Sequence, residues 1–212
     1  MQTVIVDYES GNLHSAEKAF QRMALEVGAG RVSVTSDPEV VRRADRIVLP
    51  GDGAFPACRK ELFDHRGLFE AMEEAVITAG RPFLVICIGM QMLATRGLEY
   101  TPTPGFDWIG GEVERIAPAD PALKVPHMGW NDLVIDHPHP VFDGISTGDH
   151  AYFVHSYHMR VSDPAHLLAH VDYAGPITAI VGRDNILGMQ FHPEKSQMTG
   201  LRMIANFLRW RP

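Results

Sequence analysis

Three side chains in this sequence are of the types that nucleophilic catalysis needs: a thiol at Cys87, an imidazole at His192 and a carboxylate at Glu194. The thiol lies in "LVICIGMQML" (84–93), an apolar run that passes into Ile, Gly, Met and Gln. A free cysteine in such a run is commonly no more than a small buried hydrophobe. Here, however, a strand-like "FLVI" leads straight into Cys87, Gly89 follows, and "MQMLATR" reads as helix. A strand–nucleophile–helix turn lifts a side chain above the carboxyl end of a sheet, the device that α/β-hydrolases use with serine. The start of the helix supplies unpaired N–H groups and partial positive charge, and both favour a thiolate. Gly89 suits so sharp a turn because it has no Cβ.

A thiol nucleophile needs a base, and the base needs an orienter. "QFHPEK" (190–195) offers His192 after a strand, Pro193 with its fixed φ, and Glu194 two residues on. The same hexapeptide also reads as a surface loop, and only the fold can bring it to Cys87. Acyl transfer further requires donors for an oxyanion. "LPGDGAF" (49–55) ends a strand, and its Gly51 and Gly53 allow unusual backbone angles that let N–H groups face a ligand. A simple glycine turn has the same composition.

The elements that must position these residues are legible as alternation. "TVIVDY" (3–8), "VSVT" (32–35), "RIVLPG" (46–51) and "FLVI" (83–86) read as strands. Residues 14–26 and 67–79 carry helical periodicity. This pattern predicts a parallel sheet covered on both faces by helices. From about residue 110 strands and turns dominate: "GGEVERI", "DLVIDHP", "YFVHSYHMR", "HLLAHVDY" and "ITAIVGRDNILGMQFH". They predict an antiparallel or mixed portion of the same domain, closed by a helix at 199–210. The expectation is one α/β domain over 1–212, with a mixed, mostly parallel sheet and a strand-rich second half.

Composition narrows the function. The chain has 212 residues, is 45% hydrophobic and carries a formal charge of −7 without a basic patch, which argues against nucleic acid or an anionic membrane as a partner. Eleven histidines are scattered without ligand-like spacing, so no metal site and no cofactor is expected. Two cysteines, Cys58 and Cys87, do not make a disulfide framework, and a reducing cytoplasm is the expected setting. No leader-like segment and no apolar run long enough to span a bilayer is visible.

Taken in order, "PGDGAF", "CIGMQ" and "HPEK" resemble the triad (class I) glutamine amidotransferases along nearly the whole chain. The resemblance implies hydrolysis of glutamine to glutamate and ammonia. Cys87 would attack the amide to form a thioester, with His192 as base and acid and Glu194 orienting it. The oxyanion would sit on the N–H of Ile88 and one from the Gly51–Gly53 loop. Gln91, Glu99, Ser156 and Tyr157 match positions near the bound glutamine. Within that family, "DYESGNLHS", "KVPHMGWN", "YFVHSYH" and "HPEKSQMTGL" look like the glutaminase subunits of imidazole glycerol phosphate synthase. That likeness implies a separate (β/α)₈-barrel cyclase as partner in a heterodimer. It also places Asn12, Lys195, His127 and Trp130 toward that partner or in its signalling. Other triad amidotransferases, a non-catalytic binding module and a cysteine peptidase on the same fold are the rival readings. Two positions depart from the family's habit: Val85, where glycine often precedes the nucleophile by two, and Asp52, where an apolar residue is common.

Overall fold

The computed structural model describes residues 1–9, 13–118, 120, 122–173 and 175–212. Asn12 lies outside them. The first half runs β1 (Gln2–Val6), α1 (Leu13–Val27), β2 (Arg31–Thr35), α2 (Pro38–Arg42), β3 (Arg46–Gly51), α3 (Phe55–Asp64), α4 (Leu68–Glu73), β4 (Phe83–Cys87) and α5 (Ile88–Met92). The second half begins with β5 (Arg96–Gly97), β6 (Thr103–Pro104), β7 (Gly111–Arg115), β8 (His127–Asp132) and β9 (Val134–Ile135). It continues through β10 (His150–His155), β11 (Tyr157–Val161), β12 (Leu167–Asp172), β13 (Pro176–Arg183) and β14 (Ile186–Met189), and ends in α6 (Gln197–Arg209).

An eight-stranded sheet in the order β2-β1-β3-β4-β14-β13-β12-β9 carries the molecule. Its first five strands are mutually parallel, and β13, β12 and β9 extend it antiparallel. Every residue of β3 and β4 is buried. Parallel strands covered on both faces read as continuous apolar runs, which is why "IVL" and "FLVI" do not alternate. The strand-rich half also forms two separate sheets, β11-β7-β5-β6 and the β8–β10 ribbon.

In α1 the buried positions are Ala16, Ala19, Phe20, Met23 and Ala24, an i, i+3, i+4, i+7, i+8 stripe. It meets α6, where Phe20 stands edge-on to Phe207 with centroids 6.5 Å apart. Asn206 of α6 is buried, and its amide donates to the carbonyls of Val141 and Asp143, each at 2.8 Å.

Three local features differ from the sequence reading. The helix read over 67–79 is α4 continued by a π-helical stretch, Glu74–Thr78, with Ala79 N–H bonded to the Glu74 carbonyl at 2.9 Å. The helix read through "MQMLATR" stops at Met92. There the loop over 105–109 caps it, with Phe106 N–H on the Met92 carbonyl at 2.7 Å and Trp108 N–H on the Leu93 carbonyl at 3.1 Å. Helix α2 is short, so periodicity is weak, yet its start is written locally. Asp37 accepts from the Glu39 N–H at 2.9 Å, and Pro38 occupies the first turn.

The sheet and α5 meet backbone to backbone. A Cβ on Gly89 would lie 2.4 Å from the Leu49 carbonyl oxygen, and one on Gly51 would lie 2.6 Å from the Gly89 nitrogen. The Val85 Cβ is 3.5 Å from the Gly89 Cβ position, an ordinary van der Waals separation, so Val85 does not crowd the turn. Gly89→Ala is therefore expected to destabilise the fold by about 1–3 kcal/mol through overpacking against backbone that cannot yield. A lowered urea midpoint with an unchanged slope is the measurement that checks it.

Candidate active site

Cys87 ends β4 at the point where Gly51 is its partner on β3. It is the N-cap of α5 with φ 57° and ψ −114°, a backbone region that non-glycine residues rarely occupy. Such a conformation costs on the order of 1–3 kcal/mol and persists only where the surroundings impose it. Here the close approach of β3 and α5 imposes it. Cys87 is 4% exposed.

His192 lies just beyond β14, the neighbour of β4, and begins a 3₁₀ turn at Pro193–Lys195. The Ser196 hydroxyl donates to the His192 carbonyl at 2.7 Å and accepts the Tyr152 N–H at 3.0 Å, fixing this turn to β10. Glu194 Oε1 is 2.9 Å from His192 Nδ1, and both side chains are almost fully buried. Cys87 also acts on the imidazole and favours its charged form. With Nδ1 engaged by Glu194, Nε2 is the nitrogen left to serve the sulfur. Burial opposes charge on His192, but the hydrogen bonds and charges of Cys87 and Glu194 outweigh it and push its pKa up to about 10. The trio thus has the connectivity of a nucleophile, a base and an orienter.

A cavity of about 230 Å³ opens beside Cys87, lined by Asp52, Gly53, Ile88, Glu99, Ser156 and Tyr157, with Pro126, Val154 and His155 completing the wall. Gly53 has φ 115°, which gives the loop after β3 a course that a side chain would resist. The Cys58 thiol donates to the Asp52 carbonyl at 3.3 Å and ties that loop to α3. Glu99 does more than face the cavity. One of its oxygens accepts the Phe55 N–H at 2.8 Å, so it holds the first turn of α3 beside the same loop.

Gln91 is fully buried behind the wall. Its Nε2 donates to the Tyr157 carbonyl and to Gln190 Oε1, both at 3.0 Å. Gln190 in turn directs its Nε2 at Cys87 Sγ, 3.8 Å away. The sequence reading did not single out Gln190. The signal was present, because residues two apart on an extended chain share a face and Gln190 precedes His192 by two.

A second run of polar groups approaches from β8. His155 Nδ1 donates to the Tyr157 carbonyl at 2.8 Å, which leaves Nε2 as the acceptor for His127 Nδ1 at 3.0 Å. His127 Nε2 then accepts from the Asn131 amide at 3.2 Å. The assignment is self-consistent only if both rings are neutral. Burial drives His127 down to about 4; burial, with the charges of His127, His158 and His192, drives His155 down to about 3.

Of the residues assigned toward a partner, the three that are described differ in exposure. Trp130 is 47% exposed and Lys195 is exposed, both near the site. His127 is 3% exposed and stacks between Phe153 and Tyr173, so it offers no ring face to a partner. It touches the site through His155 instead. Among the described residues no group of three or more His, Cys, Asp or Glu is arranged to hold a metal ion, and no helix is long and apolar enough to cross a membrane.

A thiol on a strained elbow of a mixed α/β sheet, with a buried His–Glu pair following the adjacent strand, defines a class. The chain matches the glutamine amidotransferase class-I family over residues 4–210 and belongs to it. Its relatives include proteins named imidazole glycerol phosphate synthase subunit HisH. That of Cereibacter sphaeroides is 73% identical over 212 residues, and that of Ruegeria pomeroyi 69%, each alignment covering 100% of both chains. The fold recurs in a solved glutamine amidotransferase (TM-score 0.73, 18% identity, 98% of this chain and 99% of that one). It recurs also in the glutaminase domain of Trypanosoma brucei CTPS (TM-score 0.64, 14% identity, 100% and 95%).

Two outcomes follow from this geometry. In the folded protein His192 keeps a proton that the unfolded chain releases above its ordinary 6.5. Its contribution to stability is therefore complete below about pH 6.5 and is lost as pH rises through about 10. The stability gap between the parent and His192→Asn in urea titrations should close across that window. Gln190→Leu removes the amide facing Sγ and takes from the Gln91 amide one of its two acceptors. A loss of about tenfold or more in kcat for glutamine hydrolysis, with the far-ultraviolet spectrum unchanged, is the expected result.

Proposed function

We propose that this chain is the glutaminase subunit of an imidazole glycerol phosphate synthase, acting as one amidotransferase domain over 1–212. It hydrolyses L-glutamine to glutamate and ammonia, and a separate cyclase uses the ammonia in L-histidine biosynthesis in the cytoplasm. The observation that carries the chemistry is Cys87 on the wall of a cavity, with the buried His192–Glu194 pair beside it. Full-length likeness to the HisH subunits supports the pathway.

In this reading Cys87 Sγ attacks the side-chain amide carbon of glutamine. The thiol proton resides on His192, which passes it to the nitrogen as the C–N bond breaks and ammonia leaves. A thioester remains on Cys87. His192 then takes a proton from water, hydroxide adds to the thioester carbon, and the C–S bond breaks, releasing glutamate and leaving the proton on His192 beside the freed sulfur, as at the start. Glu194 holds the imidazole with Nε2 toward sulfur and stabilises its charge. The oxyanion is received by the Ile88 N–H and by an N–H of the Gly51–Gly53 loop. Glu99, Ser156 and Tyr157 shape the glutamine pocket, and Gln91 acts from behind by setting the Tyr157 carbonyl. Trp130 and Lys195 face a cyclase subunit built as a (β/α)₈-barrel, His127 contributes through the ring stack beneath that face, and Asn12 is assigned to the same partner by the family resemblance alone.

Cys87→Ala should end glutamine-dependent synthesis in the complex while the reaction with free ammonium salts survives, because ammonia is made in one subunit and used in the other. Glutaminase activity retained within about tenfold, ~1.4 kcal/mol of barrier, would exclude Cys87 as nucleophile. Glu194→Gln should cost less than His192→Ala, since an orienter is less essential than the base it holds. The Gly51–Gly53 loop gives a route to control. One oxyanion donor is worth about 10²–10³ in rate, so the lone chain should be slow and the complex carrying the cyclase ligand fast. Equal glutaminase rates for the lone chain, the complex and the liganded complex would rule that control out.

A further inference from the structure

The end of the central sheet opposite Cys87 holds another cavity, of about 250 Å³, bordered by Asp45, Arg46, Arg81 and Arg211 with Met1 and Pro212. Arg46 is the first residue of β3, and Gly51, the partner of Cys87, is the last. At ~3.3 Å per residue the two ends are about 16 Å apart, so this cavity is separate from the glutamine site.

Arg46 is 1% exposed. A guanidinium carries five N–H donors and remains charged in proteins, so a buried one is normally paired with a carboxylate or another anion. Here its hydrogen-bond acceptor is the Met1 thioether, 3.8 Å from both Nη1 and Nη2, and its Nε is buried without a partner. The same sulfur faces Arg211 Nη2 at 3.3 Å. Two guanidiniums thus meet across a weak acceptor. The carboxylate in reach is engaged elsewhere: Asp45 Oδ2 accepts the Gln2 N–H at 2.7 Å, and Oδ1 lies 3.9 Å from Arg81 Nη1. Burial and the nearby Arg211 both depress the Arg46 guanidinium, and Asp45 offsets them only in part.

This is the electrostatic shape of an oxyanion site. Three guanidiniums and the Met1 ammonium, 4.0 Å from Asp45 Oδ2, border one carboxylate, an excess of positive charge that a phosphoryl dianion would offset. The planar fork of arginine matches two oxygens of such a group at once. We propose that the cavity binds a phosphoryl group, gripped from the buried side by Arg46 and covered from the exposed side by Arg81 and Arg211. The Met1 side chain, on a residue 59% exposed, swings aside to admit it.

The test uses the full chain, with inorganic phosphate, glycerol phosphate and acetate compared at constant ionic strength by thermal unfolding and, for the first two, ³¹P line broadening. Phosphate should raise the Tm saturably. Arg46→Met should weaken that binding about tenfold or more and, without phosphate, be at least as stable as the parent, because an unpaired buried charge is gone. Arg211→Gln, at an exposed position, should weaken the response several-fold with the glutaminase rate unchanged. A larger response to glycerol phosphate than to inorganic phosphate assigns the site to a phosphorylated metabolite, and the reverse assigns it to free phosphate. No response in the parent, an equal response in parent and both variants, or an equal response to acetate overturns the proposal.

Discussion

The approach of two backbones at the carboxyl end of β3 and β4 governs everything at the site. Gly51 and Gly89 pack where a single Cβ would come within 2.6 Å of a main-chain atom. That contact pulls α5 onto the sheet and leaves Cys87 no ordinary φ to adopt. The strained backbone of Cys87 is thus held by packing at its ladder partner Gly51 and at Gly89, two residues on, over apolar strands with no exposed face. The same approach brings the loop after β3 to the thiol, so the nucleophile and the candidate oxyanion donors are set by one constraint.

Around that elbow the protein holds its histidines in opposite states. His192 is flanked by a thiol and a carboxylate, and its positive charge is favoured despite burial. His155 lies near enough to feel that charge and is buried without a carboxylate partner, so it stays neutral. The difference makes the local hydrogen bonds directional. The His127–His155 bond needs one lone pair between two ring nitrogens, and protonating both rings would destroy it. Neutral groups therefore brace the Tyr157 carbonyl from one side, the Gln91 amide meets it from the other, and Gln190 closes the path to sulfur.

Much of this was legible along the chain, for identifiable reasons. The β1, β3 and β4 strands announce themselves because parallel strands buried on both faces need unbroken apolar runs. The α1 stripe is legible because one helix face alone is buried. The elbow and the "HPEK" turn are legible because chemistry there needs particular residue types at short spacing. The π-helical continuation of α4, the early end of α5 and the division of the later strands among three sheets were not. Each depends on which distant segment supplies a hydrogen bond, as the 105–109 loop does for α5.

The sequence by itself determined the fold class, the identity of the nucleophile, base and orienter as candidates, and the glycines that the turn requires. Those follow from local periodicity and from side-chain chemistry. Only the tertiary structure decided that Gln190 faces the thiol, that Glu99 also caps α3, that His127 is buried, and that Arg46, at the start of β3, is buried without a carboxylate on its guanidinium. A side chain's type is written in the sequence. Its partner, its exposure and hence its charge depend on groups brought together from far along the chain, and those are set only when the whole sheet closes.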